Sequence, residues 1–342
     1  MTETRSDPFD PRLRSTVALA AVLGLAFACL GTRGNPEPPD PIGAGARTGH
    51  EIVVCGEYYD IGSPVVLFSD AGGYDAYAEV PRFEAAPVGD DGQPIRKKRY
   101  GERRNLPAAV ETRVAAQGWD RADLAQVVRQ FVIHYDVCGT SRQCFKILQD
   151  KRNLSVHFML DVDGTIYQTL DLKERAWHAG TANDFSIGIE VAHIGAYPAP
   201  GHPVMRSWYG EDDDGTFVTF PKWMPETGIR TPGFVARPAH QELLTGEIHG
   251  KTYWMHDYTK EQHEALARLT GALSRILPAI RLDVPRDPKT GAPRTNALSG
   301  DELSSYGGVL GHLHVTTNKT DPGPALDWEA LLDRARRYAS DL

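Results

Sequence analysis

The pattern of apolar and polar residues along the chain predicts a mixed α/β protein. Apolar runs of strand length occur between residues 131 and 191, and longer segments have apolar residues at helical spacing. Because both kinds of element alternate, we predict a single mixed sheet flanked by helices. The predicted strands are residues 131–135, 156–162, 165–170 and 187–191, and the predicted helices are residues 120–130, 259–277 and 328–338.

Other regions lack a regular period. Residues 49–105 contain short β-like runs broken by turn residues, which indicates a β-rich extension ahead of a main domain at 106–340. Residues 196–256 are rich in Pro, Gly and Asp, so we interpret them as a long surface insertion that lines a cleft. Between two predicted strands, Asp163-Gly164 is typical of a hairpin turn.

The first 28 residues have the pattern of an export signal. Residues 15–28 follow two arginines, are uncharged and nearly all apolar, and end in small residues. This run is shorter than the roughly 20 residues that span a membrane. We therefore predict export to the periplasm or cell envelope. Cys29 comes next, so lipidation at Cys29 and plain cleavage after Ala28 both remain open, and the Pro/Gly-rich residues 29–48 would form a tether.

Composition and net charge limit the classes of function that fit this chain. With 41% hydrophobic and 24% charged residues, most of the chain has the composition of a folded protein. The formal net charge of -8 argues against nucleic acid as the main partner, because binding phosphates requires a basic surface.

Two histidines and an aspartate are candidate metal ligands. His134 ends a predicted strand, His312 follows a run of Gly, Val and Leu, and Asp321 precedes Pro322. Three nitrogen or oxygen ligands with one open position are typical of catalytic zinc sites, whereas structural sites have four protein ligands.

Glu190 is the candidate general base. In a strand over 186–191, Ile187 and Ile189 share one face, and Glu190 projects from the other. A carboxylate beside a metal site can take a proton from water and return it to a leaving group. A glutamate on a solvent-facing edge strand is the alternative.

Seven motifs occur in a fixed order: Val-Ile-His-Tyr (132–135), Ser-Val-His-Phe (155–158), Asp-Gly-Thr-Ile (163–166), Ala-Trp-His-Ala-Gly (176–180), residues 183–190, Gly-His (311–312) and Lys-Thr-Asp-Pro-Gly-Pro (319–324). Through them, residues 108–332 resemble the type 2 N-acetylmuramoyl-L-alanine amidases, a zinc-enzyme family related to the peptidoglycan recognition proteins. The resemblance implies that family's α/β fold. It also implies hydrolysis of the amide between the lactyl group of N-acetylmuramic acid and L-alanine in peptidoglycan, with peptidoglycan or muropeptides as partners.

The resemblance also implies roles for individual residues. His134, His312 and Asp321 would hold Zn²⁺, Glu190 would be the general base, and Lys319 would stabilise the oxyanion.

Three further residues would bind substrate by the same resemblance: Trp177, His178 and Asn183. For His178, packing beside Trp177 is an equal alternative. For His157, inside an apolar strand, a structural hydrogen bond is favoured.

The chain departs from the family pattern around its second ligand. Many bacterial members have Asp where this chain has His314, so His314 is an alternative ligand to His312. We favour His312 because it follows Gly311, and because residues two apart on a strand point to opposite faces. Val156 also replaces a tyrosine that assists catalysis in some relatives, which leaves that role to Glu190.

The cysteines suggest one local bridge. Cys138 and Cys144 flank a Gly-Thr-Ser turn, close enough in sequence for a disulfide in an exported protein. Peptidoglycan recognition proteins carry a similar small disulfide after their first zinc histidine. Cys55 is interpreted as a small buried apolar residue.

Two other functions stay open at this point. A peptidoglycan receptor would use the same groove without cutting, although the complete ligand set favours an enzyme. A zinc hydrolase of another amide is the second alternative, because the insertion at 196–256 can reshape the substrate groove.

Overall fold

The computed structural model describes residues 38–341, which form one compact unit. The predicted signal peptide, the Cys29 lipidation site and residues 29–37 of the predicted tether lie outside the described residues. Between residues 38 and 341, none of the helices combines the length and the apolar character that crossing a membrane requires.

Fourteen strands occur in this part of the chain. They are β1 (Glu51–Val54), β2 (Glu57–Asp60), β3 (Val65–Leu67), β4 (Tyr100–Gly101), β5 (Gln130–Tyr135), β6 (Phe158–Leu160), β7 (Ile166–Gln168), β8 (Arg175–Ala176), β9 (Ser186–Val191), β10 (Tyr209–Asp212), β11 (Gly215–Val218), β12 (Leu244–Ile248), β13 (Lys251–Met255) and β14 (Gly308–Gly311).

Eight α-helices accompany them, with short 3-10 segments at Ala44–Ala46 and Gly180–Asp184 and a π-helical turn at Ile147–Arg152. The helices are α1 (Ala108–Gln117), α2 (Arg121–Val127), α3 (Ser141–Lys146), α4 (Pro203–Trp208), α5 (Lys260–Ile276), α6 (Gly300–Ser305), α7 (His312–Val315) and α8 (Trp328–Asp341).

Six strands form the central mixed sheet, in the order β14-β5-β9-β6-β7-β3. Only the β6–β7 pair within this sheet is antiparallel. The inner strand β5 and the edge strand β14 are buried along their whole length, as expected for parallel strands covered on both faces. The predicted fold class, a mixed sheet flanked by helices, is confirmed.

Helix α5 covers one face of the sheet. Thr259 and Gln262 form a capping box at its start, and its apolar side packs into the main core beside α8. The predicted helix at 259–277 is therefore confirmed. The helix predicted at 120–130 ends earlier, at Val127, because Gln130 already belongs to β5 and pairs with Ser186.

The insertion at 196–256 is more regular than the sequence indicated. It contains α4 and two antiparallel hairpins, β10–β11 and β12–β13. The glycines of this segment suggested irregular structure. Two of them, Gly215 and Gly250, instead supply the positive φ that the hairpin turns need. Strand β3 of the predicted extension pairs with β7 in the central sheet, while the division of the chain at residue 105 stays an interpretation.

Candidate metal centre and catalytic cavity

The register of three parallel strands brings the candidate residues together. His134 pairs with Glu190 across β5 and β9, so the two side chains project from the same face of the sheet. On the other side of β5, Gly311 pairs with Ile133 at the end of β14. His312 follows immediately and therefore lies level with His134.

Three buried ligand atoms converge at this position. His134 Nδ1 lies 2.9 Å from His312 Nδ1 and 2.9 Å from Asp321 Oδ2, and His312 Nδ1 lies 3.0 Å from the same carboxylate oxygen. Four-coordinate zinc with bonds of about 2.0–2.1 Å would separate its ligands by about 3.3 Å. Two imidazoles and a carboxylate at these separations fit a zinc ion, and the three residues could hold a metal.

The surroundings favour neutral imidazole and ionised carboxylate, which are the ligating forms. Burial, followed by the neighbouring His312, lowers the pKa of His134 to about 4. Burial by itself would raise the pKa of Asp321, but the hydrogen bonds to His134 and His312 outweigh it and hold that pKa below its usual range.

His178 contacts the ring nitrogen of His134 that is not turned towards the other two candidate ligands. His134 Nε2 lies 3.0 Å from His178 Nδ1, and the Ser186 hydroxyl lies 3.2 Å from His178 Nε2. If His134 binds metal through Nδ1, its Nε2–H donates to His178, whose own Nε2–H then donates to Ser186. Such a partner fixes the tautomer and orientation of a ligand histidine.

Gly188 makes room for this arrangement. A Cβ at position 188 would lie 2.5 Å from two ring atoms of His178. Sequence reasoning passed over Gly188 and Ser186, although a glycine inside a strand is a known signal of close approach by another group.

Neighbouring residues hold the loop that carries His178. Asn183 Oδ1 accepts hydrogen bonds from the backbone N–H groups of His178 and Ala179, at 3.1 and 2.7 Å. Asn183 is buried and is not part of the cavity lining, and its hydrogen bonds position this loop. The substrate contact that the resemblance implies for it stays a prediction. Trp177 does line the cavity.

His157 makes structural hydrogen bonds, which is the role favoured for it in the sequence analysis. Its Nδ1 accepts from the Gly188 backbone N–H at 3.1 Å, and its Nε2–H donates to the Glu174 carbonyl at 3.0 Å. Both ring nitrogens are therefore used inside the fold.

His314 is kept away from the metal centre. Its Nδ1 accepts from the Gly311 N–H at 2.9 Å, and its Nε2–H donates to the Arg294 carbonyl at 2.8 Å. The strand argument that separated His312 from His314 was wrong, because β14 ends at Gly311 and both histidines lie in the helical turn α7. The helical turn nevertheless brings His312, and not His314, to His134.

A small cavity of about 120 Å³ opens at the cluster, and Glu190 and Lys319 line it with His134 and Trp177. Burial, and then the charge of Asp321, raise the pKa of Glu190, while Lys319 acts in the opposite direction. The Lys319 loop is held by His249, whose Nε2–H donates to the Lys319 carbonyl at 2.8 Å. His249 belongs to the insertion, and no local sequence signal connects it to this loop.

The cysteine pair lies on another wall of the cavity. Cys138 and Cys144 are free thiols in the structure, and their sulfurs lie with a carboxylate oxygen of Asp136 inside a group spanning 4.8 Å. The disulfide stays a prediction. Asp136 also orders the turn, since its Oδ1 accepts from the N–H groups of Cys138, Gly139 and His193.

A mixed sheet that presents a buried His-His-Asp cluster beside a glutamate has the residues that a metal-assisted hydrolase would need. Residues 124–324, more than half of the chain, match the sequence profile described as N-acetylmuramoyl-L-alanine amidase, and the chain belongs to this family. It is thus a peptidoglycan amidase. No curated protein sequence matches the chain significantly.

Solved structures of several amidases are similar to the chain. AmpD is 19% identical with a TM-score of 0.32, over 70% of this chain and 92% of AmpD. AmiD from E. coli, in complex with anhydro-N-acetylmuramic acid-L-Ala-D-gamma-Glu-L-Lys, is 18% identical with a TM-score of 0.35, over 72% of this chain and 65% of AmiD. AmiA from Staphylococcus aureus is 12% identical with a TM-score of 0.35, over 70% of this chain and 95% of AmiA.

Proposed function

We propose that the protein is a zinc-dependent amidase that hydrolyses the bond between the lactyl group of N-acetylmuramic acid and L-alanine. The convergence of His134 Nδ1, His312 Nδ1 and Asp321 Oδ2 within 3.0 Å, next to Glu190, carries this proposal. Zinc held there would activate a water molecule and polarise the amide carbonyl. The remaining chemistry falls to residues of the chain.

Glu190 acts as the general base and then the general acid. Its carboxylate takes a proton from the attacking water as the new carbon–oxygen bond forms. It then delivers that proton to the alanine nitrogen as the carbon–nitrogen bond breaks. The products are a lactyl carboxylate on the sugar and a free amino group on the stem peptide.

Lys319 stabilises the negative charge that develops on the carbonyl oxygen. Its place in the cavity lining supports this role. One such group in a water-poor site can contribute about 3–4 kcal/mol to the stability of the transition state. Trp177 and His178 would form the adjoining wall of the substrate groove.

The proposed substrate also indicates where in the cell the enzyme acts. Peptidoglycan lies outside the cytoplasmic membrane, and the apolar segment at 15–28 has the features of an export signal. We therefore infer that the enzyme acts in the cell envelope, with lipid attachment at Cys29 still open.

The test is release of stem peptides from purified peptidoglycan and from isolated muropeptides, followed by mass spectrometry. Glu190→Gln keeps the size of the side chain, and we expect kcat to fall by about 10²–10⁴ while zinc content stays at the wild-type level. Glu174→Gln is the matched control, because Glu174 is a partly buried glutamate outside the cavity lining. Wild-type release by Glu190→Gln would overturn the role of Glu190, and release that persists in chelator would overturn metal dependence.

A further inference from the structure

Two large apolar side chains are exposed on segments that meet at the turn beside the catalytic cavity. Between residues 38 and 341, five large hydrophobic residues are exposed, and Val137 and Trp223 are two of them, at 59% and 63%. Val137 comes three residues after His134 and lines the cavity itself. Trp223 belongs to the insertion at 196–256.

Val137 is held outward at a conformational cost. Its φ is 53°, in the left-handed region that β-branched residues strongly disfavour. The Asp136 carboxylate maintains the turn by accepting from the N–H groups of Cys138 and Gly139. A strained residue that persists at the edge of a site points to a use for its side chain.

Trp223 is fixed next to the same turn. Trp208 packs so closely on Gly139 that a Cβ there would lie 2.4 Å from its ring. Trp223 meets Trp208 edge to face, with ring centroids 6.3 Å apart. The next residue, Met224, accepts a hydrogen bond from the Thr140 hydroxyl at 3.8 Å. The insertion thus presents an exposed indole outside the cavity lining, and these contacts join it to the turn that follows Val137.

We propose that Val137 and Trp223 form a glycan-binding rim, which holds the sugar chain of the substrate as it leaves the metal centre. The inference rests on the proposed function, because that reaction places the lactyl group and its sugar at the cavity. Val137 contacts the lactyl end of the substrate, and Trp223 stacks on a sugar ring farther along the strand. Sugar rings carry faces of C–H groups that pack on indole, and Trp gives a large apolar area with little loss of side-chain freedom.

The rim predicts that substrate binding depends on the length of the glycan. Because Trp223 is outside the cavity lining, the proposal puts it against a sugar beyond the one that bears the scissile bond. Trp223 then improves binding of glycan strands but not of a single N-acetylmuramyl peptide. Val137 lies at the cavity and contributes to both. The rim therefore makes the enzyme prefer polymeric wall over small fragments.

The test compares kcat/KM on glycan strands of several disaccharides with kcat/KM on the monosaccharide muropeptide. For Trp223→Ala we expect a loss of about tenfold on strands, mainly through KM, and a change within about twofold on the small substrate. Trp223→Phe keeps an aromatic face and should stay near wild type. An equal loss on both substrates, or no loss on strands, overturns the role of Trp223.

Val137→Gly separates function from folding. We expect kcat/KM to fall about three- to tenfold on both substrates, while the melting temperature is unchanged or rises by about 1–3 °C as the strain is relieved. The matched control is Val88→Gly, since Val88 is 62% exposed and away from the cavity. It should leave kcat/KM unchanged. Wild-type kcat/KM in Val137→Gly overturns the role of Val137.

A failure of the proposed function is distinguishable from a failure of the rim. If the wild type cleaves neither substrate, the amidase reaction is wrong for this protein. Binding of stem-free glycan strands, followed by isothermal titration calorimetry, then tests the rim alone. Binding by the wild type that Trp223→Ala abolishes supports the rim, and no binding by the wild type overturns it.

Discussion

Replacing Gly188 with alanine should disturb the metal centre without touching a ligand. Gly188 lies in β9, two residues before Glu190, and His178 lies directly against it. The added methyl group would lie 2.5 Å from His178 Cε1 and Nδ1 and 2.8 Å from Cγ. Since carbon atoms pack best at about 3.5–4.0 Å, the ring has to move by about 1 Å.

The displacement has two measurable costs. Forcing a methyl group into a filled site costs about 1–3 kcal/mol, and for a unit of about 300 residues about 2 kcal/mol corresponds to a melting temperature about 3 °C lower. The 3.0 Å contact between His178 Nδ1 and His134 Nε2 is lost as the ring moves. Loss of such a supporting contact typically reduces metal affinity by about 10–100-fold.

The assay is thermal unfolding together with zinc affinity from competition with a chelator. Gly101→Ala is the matched control, because Gly101 is also a strand glycine and its added Cβ would meet nothing closer than 3.6 Å. The double variant Gly188→Ala/His178→Ala should recover stability relative to Gly188→Ala, since the clash is gone, while zinc affinity stays low. Wild-type stability and zinc affinity in Gly188→Ala would refute the packing argument.

Three further predictions concern other parts of the molecule. His312→Ala should lose bound zinc, while His314→Ala should retain zinc and melt at a lower temperature, because it breaks contacts to Gly311, Arg294 and Trp328 that lie away from the metal ligands. Burial raises the pKa of Asp161 to about 8, so its contribution to stability is complete below about pH 4 and declines as pH rises towards 8. Asp161→Asn cannot ionise, so urea unfolding at pH 5 and pH 8 should show a smaller decline than in the wild type. In protein exported to an oxidising compartment, Cys138 and Cys144 should form a bridge, detectable by intact mass and contributing about 2 kcal/mol.

Each of these has a clear contrary result. Zinc loss in a folded His314→Ala variant would exchange the two histidines as ligands. Equal declines in the wild type and Asp161→Asn would contradict the raised pKa of that carboxyl. Two free thiols in the exported protein, as assigned by alkylation, would contradict the bridge.

Much of the site was present in the sequence. The apolar alternation at 187–191 predicted the strand and the opposite projection of Glu190, and the family resemblance carried by the ordered motifs implied His134, His312 and Asp321 as ligands. These features are local, because period-two alternation and short motifs depend only on neighbouring residues. The same local signals predicted α5, whose start is set by the Thr259 cap.

The tertiary structure decided which side chains meet. His312 reaches His134 because β14 and β5 pair in parallel and the chain then turns into α7, which no local pattern indicated. The close approach of His178 to Gly188 and the contact of His249 with the Lys319 loop depend on the same packing. Strand register and contacts between distant segments are fixed by the shape of the shared core. The sequence therefore determined the chemistry of this site, and the fold determined its geometry.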